Sequence, residues 1–129
     1  MSFKSNLINI VLVETSHPGN IGSVARAMKT MGLSELSLVN PRKFPSGEAN
    51  ALSGNATDVL ENAKIFDSIE DAIKDSTFVY ATSSRSRTIQ WPTVHAEEGA
   101  SLINNQVSSD KKVSILFGRE DRGLTNEEL

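Results

Sequence analysis

The chain has 129 residues, of which 38% are hydrophobic and 22% charged, enough for one compact domain with a packed core. It holds no cysteine, which excludes disulfide frameworks and thiolate metal sites, and its two histidines, His17 and His95, have no metal-spaced partners. No apolar run approaches a membrane span, and the N-terminus lacks the basic flank and long apolar region of a secretory signal, so a cytoplasmic placement is expected.

The elements follow in chain order. "LINIVLVET" (7–15) is an apolar, β-branched run and reads as a buried strand. Residues 21–31 place Ile21, Val24, Ala25, Met28 and Met31 on one helical face, with Asn20 as N-cap and Gly32 just past the end. "ELSLVN" (35–40) predicts a second strand, closed by Pro41. A loop with Pro45 and Gly47 leads to a weaker helical stretch over 56–63, and "KIFD" to a short third strand. Ser68 and Asp71 form a capping box for a helix over 69–75. "TFVYATS" (77–83) is a fourth strand, 84–95 a loop around Trp91-Pro92, 97–106 a helix and "KVSILFG" (112–118) a fifth strand. Strands alternating with helices predict an α/β fold: a mainly parallel sheet with helices on both faces. Thr125 and Glu128 announce a further helix one turn before Leu129, so the chain is expected to be part of a longer protein.

The net charge of −3 is unevenly spread. Residues 1–47 carry +3 and 77–95 carry +2, whereas 48–76 carry −5 and 96–129 carry −3. A local basic face, and with it a nucleic-acid partner, is compatible with this pattern.

Ligands of open α/β sheets bind outside the carboxyl ends of the strands. Three such ends here are polar and glycine-bearing: "SHPGN", "TSSRSR" and "GREDRG". In the first, Gly19 and Gly22 permit a turn and close backbone approach at a helix start, whose free N–H groups favour an anion or an electron-rich oxygen. Arg26 follows one turn later and would lean back toward that mouth. Spacing alone also fits a solvated face of Ser23, Arg26 and Lys29. The glycine spacing departs from G-x-G-x-x-G and strand two ends "VNPRK" without an acid, so a dinucleotide site survives only as an NADP reading through Arg42. The hydroxyls of "ATSSRSR" suit an adenosine or a carboxylate, and Arg85 and Arg87 suit phosphates, although a polar surface loop has the same composition. A non-catalytic RNA-binding fragment is the other alternative.

"NIGSVARAMKTMG" and "ILFGREDRGLTNEEL" resemble the first two motifs of the SpoU branch of the SPOUT RNA 2′-O-methyltransferases, and "LVNP" and "TSSRSRTIQWP" extend the resemblance over the whole chain. The resemblance implies an α/β knot, a homodimer, and S-adenosyl-L-methionine (SAM) held bent in the knot. It implies methyl transfer to a tRNA ribose, at nucleotide 32 of the anticodon loop. By the same resemblance Asn20, Arg26 and Glu120 are the catalytic set, with Arg26 the catalytic arginine. Thr82, Ser83, Gly118, Glu120, Gly123 and Leu124 would contact the cofactor, and Arg26, Arg85 and Arg87 the RNA; no metal is implied. The family's third motif, which completes knot, cofactor site and dimer, is expected beyond Leu129. Residues 1–129 therefore read as a catalytic domain without that motif.

Overall fold

The computed structural model describes residues 5–15, 18–41, 52–82 and 96–118. A 3-10 turn (Ser5–Leu7) leads into β1 (Ile8–Val13), α1 (Pro18–Met31), β2 (Glu35–Val39), α2 (Thr57–Glu61) and β3 (Lys64–Phe66). Then come α3 (Ile69–Ile73), β4 (Phe78–Ala81), α4 (Ala96–Ser108) and β5 (Val113–Phe117). The strands form one parallel sheet in the order β3-β2-β1-β5-β4. The predicted alternation is found, with most elements trimmed at their ends. The capping residue of α3 is also found: Ser68 Oγ accepts from the Asp71 N–H at 3.2 Å. The Trp91 loop and the helix announced by Thr125 lie outside the described residues.

β1 is apolar throughout save Asn9 because it is the central strand, and all six of its residues are buried. Ile8, Ile10 and Leu12 point to one face, where they pack with Ile21, Ala25 and Met28 of α1, Val59 and Leu60 of α2, and Val107 of α4. Val11 and Val13 point to the other face and pack with Val39, Leu116 and Ala72 of α3. Helices therefore cover both faces, as the alternation predicts.

Three expectations are corrected. Asn20 is not the N-cap of α1 but its third residue, because the helix begins at Pro18. Proline suits the first helical position: its fixed φ is already helical, and its missing N–H would have had no partner there. Gly19 and Gly22 consequently form no loop; they are buried positions within α1. Met31 leaves the apolar face and is 60% exposed. At 3.6 residues per turn it lies about 70° from the centre of the stripe formed by Ile21, Val24, Ala25 and Met28.

The far end of α1 matches expectation. Gly32 has φ +79°, and its N–H donates to the Lys29 carbonyl at 3.2 Å while the Leu33 N–H donates to the Met28 carbonyl at 2.8 Å. This pair of bonds satisfies two carbonyls the helix would otherwise leave open, and it turns the chain toward β2.

The α3 face of the sheet also contains a polar seam that hydropathy does not show. Asn9, Ser37 and Ser114 are buried side by side on β1, β2 and β5. Ser37 Oγ donates to Asn9 Oδ1 at 2.7 Å. The Asn9 amide donates to Ser114 Oγ at 3.1 Å and to the Ala72 carbonyl at 3.2 Å. Ser114 Oγ in turn bonds with Ser76 Oγ.

Candidate functional site

The carboxyl ends of β1 and β5 open into a cleft of about 390 Å³ lined by Leu12, Thr15, Asn20, Ser23, Val24, Phe117 and Gly118. Topology places it there. From β1 the chain runs outward through β2 to β3, crosses to β4 at the opposite edge and returns to β5 beside β1. The first and last described strands thus become neighbours, with Leu12 opposite Phe117. Ligands of such sheets bind at this kind of reversal. The first turn of α1 forms one wall of the cleft, contributing Asn20, which is exposed.

The walls are mixed. Leu12, Val24 and Phe117 supply apolar surface, and Phe117 is 38% exposed. Thr15, Asn20 and Ser23 supply polar groups. Thr15 is only 4% exposed, and none of the described residues is seen bonding to its hydroxyl. A buried hydroxyl is normally paired, so this one suits a bound polar group. Sequence reasoning assigns neither Thr15 nor Ser23 to a site. The signal available is position: Thr15 closes the first strand end, and Ser23 follows Asn20 by three residues on a helix.

Of the predicted residues, the structure brings Asn20 and Gly118 together in the cleft. Thr82 lies one strand away, just past β4, where its N–H and its Oγ1 both donate to the Leu116 carbonyl at 3.0 Å. It is thereby fixed two residues upstream of Gly118. Arg26 does not line the cleft. It borders a neighbouring shallow groove of about 360 Å³ with Ser23, Ala27, Thr30 and Met31. Ser23 is common to both hollows. Arg26 is exposed and in no ion pair with any described residue, while the next cation on the helix, Lys29, is bound to Asp58 at 2.8 Å. The stem of Arg26 runs alongside Gly54, whose bare Cα faces its Cδ and Nε. Ser83, Arg85, Arg87, Glu120, Gly123 and Leu124 lie outside the described residues, as do Trp91, His17 and His95.

The profile of the SpoU rRNA methylase family matches residues 7–129, nearly the whole chain. The chain belongs to the SpoU rRNA methylase family. Two relatives give the resemblance detail. The chain is 49% identical over 122 residues to the tRNA (cytidine/uridine/adenosine-2′-O-)-methyltransferase TrmJ of Pseudomonas aeruginosa, covering 95% of this chain and 48% of that protein. It is 52% identical over 122 residues to the tRNA (cytidine/uridine-2′-O-)-methyltransferase TrmJ of Escherichia coli K12, covering 95% and 49%. Among solved structures, TrmJ from Z. mobilis ZM4 superposes with a TM-score of 0.87 at 37% identity, covering 93% of this chain and 53% of that one. The chain thus spans about half the length of the relatives it matches. The cleft brings together Gly118, which the motif resemblance assigns to the cofactor, and Asn20, which it assigns to catalysis. Among the described residues no helix is long and apolar enough to cross a membrane.

Proposed function

We propose that this chain is the catalytic domain of a SAM-dependent tRNA 2′-O-methyltransferase, acting in its complete protein on the ribose of nucleotide 32 in the anticodon loop. The observation that carries the reading is the cleft between β1 and β5, flanked by an arginine that no described acid engages, in a chain about half identical to TrmJ proteins. The nucleotide number and the homodimer rest on the resemblance, and the cytoplasmic setting on the sequence pattern.

The residues present suit the cofactor. The cleft lies within the range of small-ligand sites, roughly 300–1,000 Å³, and combines apolar walls with a few polar groups. Thr15 and Asn20 would hold polar parts of SAM, and the Gly118 backbone would pass close to it. Thr82, and by resemblance Ser83, Glu120, Gly123 and Leu124, would complete its surroundings. When bound, SAM supplies an electrophilic methyl group on a sulfonium.

The protein's task is then positioning, since the methyl donor is already activated. With SAM held against Thr15, Asn20 and Gly118, the ribose 2′-oxygen would take its methyl carbon as the carbon–sulfur bond breaks, the electron pair staying on sulfur and S-adenosylhomocysteine leaving. The 2′-hydroxyl proton leaves to water or to the adjoining phosphate. Arginine stays protonated at physiological pH and is a poor base. Arg26, paired with no described acid, would instead orient the ribose and its phosphate and stabilise the negative charge that develops on the 2′-oxygen. Arg85 and Arg87 would hold further phosphates.

Arg26→Ala in the full-length protein tests the reading. Because Arg26 lies outside the cleft, S-adenosylhomocysteine affinity should stay within about twofold, while the single-turnover methylation rate falls by roughly 10²–10³. Wild-type turnover in the variant would remove Arg26 from the mechanism. Absence of any methyl transfer to tRNA by the wild-type protein would remove the assignment itself.

A further inference from the structure

We propose that Asn9 is a positioning residue: its buried bonds to Ser37 and Ser114 set the register of β2 and β5 against β1 and so fix where Gly118 stands in the cleft. The inference rests on the cleft being the cofactor site, although its structural half stands independently.

The two faces of the sheet differ in what they encode. On the α1 face, β1 presents Ile8, Ile10 and Leu12, and β5 presents Val113, Ile115 and Phe117. Every one is apolar. A slip of two residues keeps each side chain on its own face, and on this face it leaves two of the three pairs apolar while setting Ile8 against Lys111 or Leu12 against Arg119. The α1 face therefore distinguishes registers through one end pair alone.

The α3 face distinguishes them through a buried pair. There β1 reads Asn9, Val11, Val13; β5 reads Ser114, Leu116; and β2 reads Glu35, Ser37, Val39. Each strand has one buried polar position, and β2 adds the half-buried Glu35 at its start. In the observed register Asn9 is paired with Ser114 and bonded diagonally to Ser37. Both amide protons of Asn9 and its carbonyl oxygen are used, and the amide also holds the Ala72 carbonyl of α3. Moving β5 by two residues puts Leu116 or Lys112 opposite Asn9 and leaves its buried amide without Ser114. Each buried polar group left unpaired costs about 1–3 kcal/mol.

The effect reaches the cleft through strand geometry. A two-residue slip displaces a parallel strand by about 6.6 Å. Gly118 immediately follows β5, so it would move by that amount relative to Thr15 and Asn20, which follow β1. A cleft whose walls come from both strand ends cannot keep its shape through such a shift. The polar seam lies at the other end of the strands from the ligand and would act on it only through register.

The test compares the wild-type protein with the triple variant Asn9→Leu, Ser37→Ala, Ser114→Ala, which removes the whole seam, and with Ser114→Ala alone, which leaves Asn9 bonded to Ser37 and Ala72. Nuclear Overhauser contacts between backbone protons of directly paired residues report the register, because diagonal side chains also touch in the native pairing. The wild type should give only the Ile10–Ile115 and Leu12–Phe117 pairs. Both variants should add a second set, such as Ile10–Phe117, and bind S-adenosylhomocysteine at least tenfold more weakly. A single wild-type register in a folded variant overturns the proposal, whatever happens to affinity. If the triple variant fails to fold, Ser114→Ala decides the question through the same contacts. If the wild type itself does not bind S-adenosylhomocysteine, the cofactor reading fails, while the register contacts still decide the role of Asn9.

Discussion

Arg26 and Lys29 are neighbouring cations on one helix, yet they have different surroundings. Lys29 is bound to Asp58 on α2, and that bond holds the Asp58 carboxyl below its ordinary value. A lowered pKa in the folded state means that the unfolded chain binds more protons as acid is added. The contribution of the pair is present above the unfolded pKa of Asp58 and is lost as pH falls through its lowered folded value. Lys29→Met should therefore return the Asp58 titration toward that of an ordinary aspartate, followed by carboxyl NMR, and flatten the acid limb of the stability curve. The groups are exposed, so stability at neutral pH should hardly change. Gly32 gives a sharper residue-scale test. An added Cβ would meet no atom within 4 Å, so Gly32→Ala isolates the backbone strain of φ +79°. It should cost about 1–2 kcal/mol in chemical denaturation, and a neutral result would mean that α1 ends some other way in the variant.

At the scale of elements, much of the molecule is legible in the sequence, and the failures have identifiable causes. β1 is readable because a strand buried on both faces must be almost wholly apolar. α3 is readable because Ser68 and Asp71 form a local cap whose chemistry does not depend on the rest of the fold. The start of α1 is harder, because glycines near a helix suggest a loop, while Pro18 already satisfies the rule for a first helical residue. The Asn9 seam is invisible because an asparagine or serine in a strand looks solvent-facing until its neighbours across the sheet are known. The cleft is half legible: strand ends point to Asn20 and Gly118, but only strand order shows that Thr15 and Ser23 share the same hollow. The segment between β4 and α4 carries its own prediction. If Arg85 and Arg87 hold tRNA phosphates, replacing both by alanine should reduce the slope of log affinity against log salt by about 1.4–1.8, since each contact releases roughly 0.7–0.9 counterion. An unchanged slope would place these arginines away from the RNA.

For the whole molecule, alternation of strands and helices implies a parallel α/β sheet, but no local pattern carries the order in which the strands lie. That order decides where a ligand can sit, because it makes the first and last described strands neighbours and opens the cleft between them. Resemblance to the SpoU motifs supplies what composition cannot, including the reason an acidic chain should contact RNA. The basic residues outnumber the acids over 1–47 and 77–95, and the acidic excess that leaves the chain at −3 lies in 48–76 and 96–129.

The adjacency of β1 and β5 also constrains how the chain is made. Asn9 and Ser114 are register partners 105 positions apart. A ribosome adding about 5–20 residues per second needs roughly 5–20 s to cover that interval. Throughout it, β1 has been synthesised and can accept β2, but its other edge has no native partner. An apolar, β-branched strand with an open edge is a template for pairing with the wrong chain. The same juxtaposition that creates the cleft therefore makes the nascent protein vulnerable, and it sets a lower limit on how soon the cleft can exist.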